Sequence, residues 1–119
     1  MVSLVYTDTF EVEINQSPIP VLLACIHSYA DRLPYQELLA AIEASFSHQV
    51  KVCLLQEENG GVISKRYGIA GTPTFLLVDG GRVIARLMGE TDLPGLTTFI
   101  AQHTSFMLRK PSPNPSKNP

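Results

Sequence analysis

Three short runs constrain this chain more than any other feature: PVLLACI (20–26), VKVCLL (50–55) and TFLLVD (74–79). Each is apolar almost without interruption, is bounded by turn residues, and is too short for a core helix. A strand that alternates has one wet face, whereas a strand that does not must be covered on both. The runs therefore predict a sheet buried between two layers, which helices have to supply. A fourth run, RVIARLM (82–88), alternates more and follows the turn Asp79-Gly80-Gly81, so it is expected to be an antiparallel hairpin partner at the sheet edge.

The intervening segments have helical spacing. RLPYQELLAAIEASF carries Leu38, Leu39, Ile42 and Phe46 on one face, with Asp31 as the expected N-cap and Pro34 in the first turn. A second, short helix is expected over NGGVISKRYG, capped by Asn59 and ended by Gly68. A third fits DLPGLTTFIAQH, with Asp92 as its cap and Leu96, Phe99 and Ile100 facing inward. The N-terminal TDTFEVEINQ reads two ways: Phe10, Val12 and Ile14 alternate as in a strand, while Thr7 or Asp8 could cap a short helix. The order strand, helix, strand, helix, hairpin, helix specifies an α/β domain with a central sheet and helices on both faces.

With 119 residues, 45% of them hydrophobic, the chain has room for one domain whose core needs no staples. Its last ten residues, KPSPNPSKNP, hold four of the nine prolines and no other apolar side chain. The domain is therefore expected over 1–108 and a disordered Pro-rich tail over 109–119. A net charge of -2 with no cluster of Lys or Arg argues against a nucleic-acid partner. No apolar run approaches bilayer length, and the start MVSLVYTDTFEVEINQ has neither a basic leader nor a long apolar segment, so a cytoplasmic protein without a membrane partner is expected. Cys25 and Cys53 sit in apolar settings that suit inert core thiols. His27, His48 and His103 lie far apart with no Cys or carboxylate at ligand spacing, so neither a metal nor another cofactor is expected.

The phrase YGIAGTPTFLLVDGGRV (67–83) narrows the fold further. Together with the order of elements it resembles the thioredoxin family, from about Phe10 to His103. The resemblance implies a thioredoxin fold, a central mixed β-sheet flanked by helices on both faces, with Pro73 as the family's cis-proline before the third core strand. It also turns the ambiguous N-terminal segment into a helix. An X-Pro bond leading directly into a buried strand is one of the few places where a cis peptide is kept.

The same resemblance puts the two thiols of the family's Cys-x-x-Cys at Ala30 and Leu33. The tryptophan before the motif falls on Tyr29, its Gly-Pro pair on Asp31 and Arg32, the buried acid on Ala24 and that acid's lysine partner on Leu54. Every position of the redox machinery has changed. A buried carboxylate costs several kcal/mol of desolvation before compensation, so without a dithiol to serve, an apolar filling is the more stable one. The resemblance then implies a redox-inactive module for protein or peptide binding, of adaptor or chaperone-like type. Its groove would comprise Tyr29, Ala30, Asp31, Arg32, Leu33, Gly71, Thr72, Pro73 and Gly89. Its partner would be a protein or an extended peptide segment, pairing with the free backbone groups of Thr72. The alternative is an enzyme-like role with residual single-cysteine chemistry at Cys25 or Cys53, which mid-strand burial disfavours.

Overall fold

The structure, a computed structural model, describes residues 2–26, 29–47, 49–57, 61–71 and 73–108, with 29–32 and 105–108 described by backbone alone. Among the described residues five strands form one sheet: β1 (Ser3–Tyr6), β2 (Val21–Cys25), β3 (Lys51–Gln56), β4 (Thr74–Asp79) and β5 (Arg82–Met88), in the order β1-β3-β2-β4-β5. The pairs β1/β3 and β2/β3 are parallel, whereas β2/β4 and β4/β5 are antiparallel, so the sheet is mixed. The described residues also form three α-helices, α1 (Tyr29–Ser45), α2 (Val62–Arg66) and α3 (Leu93–Leu108), along with a 3-10 turn over Thr7–Thr9 and a π-helical turn over Glu11–Asn15.

The alternation of side chains along each central strand divides the core into two layers. Leu22, Ala24, Val52, Leu54, Phe75 and Leu77 point to one face and pack with Leu39, Ile42 and Phe46 of α1 and Leu96, Phe99 and Ile100 of α3. Val21, Leu23, Cys25, Cys53, Leu55, Leu76 and Val78 point to the other and pack with Phe10, Ile14 and Ile63. The sheet is thus covered on both faces, as the unbroken apolar runs require. The N-terminal segment is helical, with Phe10 and Ile14 buried and Val12 exposed.

Several expectations need correction. The strand β1 does not stand out in the sequence, because only Val5 of its four residues is buried. The first long helix starts at Tyr29, which places Asp31 inside it instead of at the N-cap and leaves Pro34 beyond the first turn. Leu38 is only half-buried, and the inward face of α1 is carried by Leu39, Ile42 and Phe46. The N-cap of α2 is Gly61, not Asn59, which lies outside the described residues. The expected tail, 109–119, lies outside them too.

The cap of α2 is supplied from a distance. Glu57, just past the end of β3, accepts the N–H of Ile63 at Oε1 (2.8 Å) and the N–H of Ser64 at Oε2 (2.9 Å), while Thr7 Oγ1 donates to Oε1 (3.1 Å). A Cβ at Gly61 would collide with this side chain, so glycine leaves room for the carboxylate. At the other end, Gly68 adopts φ 66°. Its N–H reaches Lys65 O (3.3 Å) and that of Ile69 reaches Ser64 O (2.8 Å), a Schellman closure in which Ile69 joins Ile63 in the core. The Tyr67-Gly68-Ile69 phrase is therefore a helix stop that aims the chain toward Pro73. Gly80 (φ 61°) and Gly81 (φ 83°) both take the left-handed region that a two-residue I′ hairpin demands between β4 and β5.

Partial burial works to raise the Glu57 pKa, but the hydrogen bonds from Ser64, Ile63 and Thr7 together outweigh it and hold the carboxyl below its ordinary value. A lowered folded-state pKa contributes stability above the unfolded carboxylate value and loses it as pH falls through the folded one. Glu57→Ala should lower stability by about 1 kcal/mol at neutral pH, as loss of a helix cap does. Urea midpoints should converge with those of the unsubstituted protein below the carboxylate range; a gap that persists there would mean that the ionised cap is not the cause.

Candidate functional site

The C-terminal ends of β2 and β3, the start of α1 and the residues leading into β4 meet at one end of the sheet. Pro73 is buried immediately before β4, and its carbonyl accepts the N–H of Gly89 at 2.9 Å. Thr74 Oγ1 donates to Gly71 O at 2.7 Å and closes the turn. Beside Pro73 opens a cleft of about 550 Å³, walled on one side by Pro34, Tyr35 and Leu38 of α1 and on the other by residues 90–93, between β5 and α3. Tyr35 is fixed by a tilted ring contact with Phe75 of β4 at 5.8 Å. Asp92 fixes the opposite wall: its Oδ1 accepts the Gly95 N–H at 2.9 Å and its carbonyl the Leu96 N–H at 2.9 Å, so it caps α3 as its sequence position suggests.

Of the residues singled out from sequence, Pro73 and Gly89 are joined by that backbone hydrogen bond, and Gly71 is exposed two residues before Pro73. A Cβ on Gly71 or on Gly89 would meet nothing within 4 Å, which leaves the approach to the turn open. Gly89 also needs its freedom, since its φ of 97° strains any other residue. Leu33 is 48% exposed on α1. Tyr29, Ala30, Asp31 and Arg32 lie in the first turn and a half of α1 by their backbone. Thr72, and with it the geometry of the Thr72–Pro73 bond, lies outside the described residues. Tyr35, Leu38, Glu90 and Asp92 are site residues that the sequence reading does not reach. The signal for them in the sequence is the segment MGETDLP, which follows the hairpin and must come back past Pro73.

Neither cysteine belongs to this cleft. Cys25 and Cys53 lie fully buried and free in the layer on the sheet face opposite Tyr35 and Leu38. Burial pushes the Cys25 thiol up to about 12, with Glu57 adding to the rise and Arg86 opposing it. Burial likewise pushes Cys53 up to about 12, against the pull of Lys51. A thiolate is the reactive form, so both sulfurs are held in the inert one. Ala24 and Leu54 are direct cross-strand partners on the α1 face, 0% and 5% exposed, and leave no place for an unpaired charge. Among the described residues, no group of three or more His, Cys, Asp or Glu stands together as a metal site would need. Among them, too, no helix is long and apolar enough to cross a membrane.

A mixed five-stranded sheet covered on both faces, with a proline turn leading into its central antiparallel strand, defines a protein of thioredoxin-like architecture. Comparison with known proteins agrees. The thioredoxin of Allochromatium vinosum is 31% identical over 97 residues, covering 78% of this chain and 88% of that protein. The thioredoxin of Haemophilus influenzae is 26% identical over 95 residues, 79% of this chain and 89% of that protein. Over 83 residues the chain is also 31% identical to the protein disulfide-isomerase erp38 of Neurospora crassa, covering 69% of this chain and 22% of that longer protein. No family model matches the chain. On these relationships the chain belongs to the thioredoxin family. It carries no Cys-x-x-Cys, its two cysteines being Cys25 and Cys53.

The thiol geometry predicts that a colorimetric disulfide reagent at mildly alkaline pH labels neither sulfur in the native protein and both after denaturation. Fast labelling of either cysteine in the folded state would contradict this placement.

Proposed function

We propose that this chain is a redox-inactive thioredoxin-fold module that holds an extended peptide or protein segment in the cleft beside Pro73, as an adaptor or chaperone-like factor. The observation that carries this reading is a 550 Å³ cleft with one apolar and one mixed, partly charged wall at the end of the sheet, paired with two thiols that lie on the other side of that sheet. Relatives named thioredoxin or disulfide-isomerase suggest that such a cleft receives polypeptide. Here the positions of the family's thiols, acid and base are Ala30, Leu33, Ala24 and Leu54, so contact without electron transfer is the chemistry left. Leu33, Met88 and Leu93, all at least 40% exposed, supply apolar contact around the Pro73 turn.

Single-cysteine chemistry gains no support from thiols pushed up to about 12. The free state of Cys25 and Cys53 suits the reducing cytoplasm, where we place the module in this reading.

Two measurements test the reading together. In a dithiothreitol-driven insulin reduction assay, the protein should add no rate to the reductant alone. In a binding assay with a cysteine-free extended polypeptide, Gly71→Trp should weaken affinity about tenfold, or ~1.4 kcal/mol, because the new ring would lie across the open approach without disturbing the fold. Insulin reduction at a thioredoxin-like rate, or binding indifferent to Gly71→Trp, would overturn the proposal.

A further inference from the structure

The cleft of the proposed function has a charge pattern that narrows its ligand, and the selectivity inferred from that pattern rests on the cleft being a peptide site. Its walls present Tyr35, Leu38 and Leu93 as apolar surface, with Glu90 and Asp92 as exposed carboxylates on the same side as Leu93 and no Lys or Arg among the described lining residues. The described lining therefore carries negative charge, and its charge-bearing wall is fixed by the Asp92 cap of α3. An acidic segment brought here would set like charges together, whereas a cation with several N–H donors would satisfy both carboxylates at once.

We propose that the cleft selects an extended segment with a Lys or Arg between apolar residues two positions to either side. In an extended chain, side chains two apart share a face, so the outer pair would rest on Tyr35, Leu38 and Leu93 while the cation lies between Glu90 and Asp92. Arginine fits best, because its planar fork can meet a carboxylate with two N–H groups at once.

The test uses the full chain and three fluorescent peptides, Gly-Ser-Leu-Thr-Arg-Thr-Leu-Ser-Gly and the same sequence with Glu or Gln in place of Arg, followed by anisotropy. At low ionic strength the Arg peptide should bind roughly three- to tenfold more tightly than the Gln peptide, with the Glu peptide weakest, and the gap should close as salt is raised. Glu90→Lys should reverse the order of the Arg and Glu peptides. Asp92→Asn, which keeps the oxygen that caps α3, should reduce the preference without loss of fold. Equal binding of all three peptides, still sensitive to Gly71→Trp, would overturn the charge selection and leave the cleft as a general peptide site. No binding of any peptide would overturn both readings. Concentration-dependent dimerisation lost in Glu90→Lys, with no ranking among the peptides, would assign the cleft to a second copy and overturn the proposal as well.

Discussion

The structure depends on one constraint: β2 has no wet face. Val21 to Cys25 are each at most 1% exposed, with β3 on one side and β4 on the other. A strand in that position cannot tolerate an unpaired charge, and every layer above and below is recruited to cover it. Helices α1 and α3 cover Leu22 and Ala24, while the N-terminal π-helical turn and α2 cover Val21, Leu23 and Cys25. Because α1 follows β2 after a few residues, the same constraint fixes where α1 begins, and hence where one wall of the cleft stands.

What occupies the covered positions then decides the chemistry. Ala24 and Leu54 are neighbours across β2 and β3 under α1. An acid alone there would be desolvated without a partner, and a lysine alone would be no better. Ala and Leu are a consistent apolar filling there, 0% and 5% exposed. The remaining thiols belong to the other layer, so the sheet itself separates sulfur from cleft. The fold has a shaped recess at the end of the sheet, with ordinary apolar core beneath it.

Much of this architecture is legible in the sequence because the strongest signals are local. TFLLVD and RVIARLM are strands over the residues expected, since a two-glycine I′ turn and unbroken burial leave little choice of register. The short β1 is not legible, because a four-residue edge strand with one buried side chain has no periodicity to detect. The α2 cap escapes for a different reason: Asn59 is the residue type that favours an N-cap, yet the orphan N–H groups go to Glu57, a carboxylate placed by the end of β3. Asp31 misleads because Asp before an apolar repeat signals a cap, whereas α1 starts earlier and takes it into the helix. In the site, Pro73 can be read from its place before a buried strand and Gly89 follows from the family resemblance, but Tyr35, Glu90 and Asp92 come together only through the sheet topology, which no local pattern encodes.

The central claim is that a thiol-free cleft beside Pro73 is where this protein meets polypeptide. Amide shift mapping by NMR, with a cysteine-free extended peptide titrated into the isotope-labelled protein, tests it most directly. The account predicts saturable shifts concentrated at Leu33 to Leu38, at Gly71 to Thr74 and at Met88 to Leu93. Shifts that leave these three segments unchanged and gather instead along the exposed edge of β1, from Ser3 to Tyr6, would contradict it.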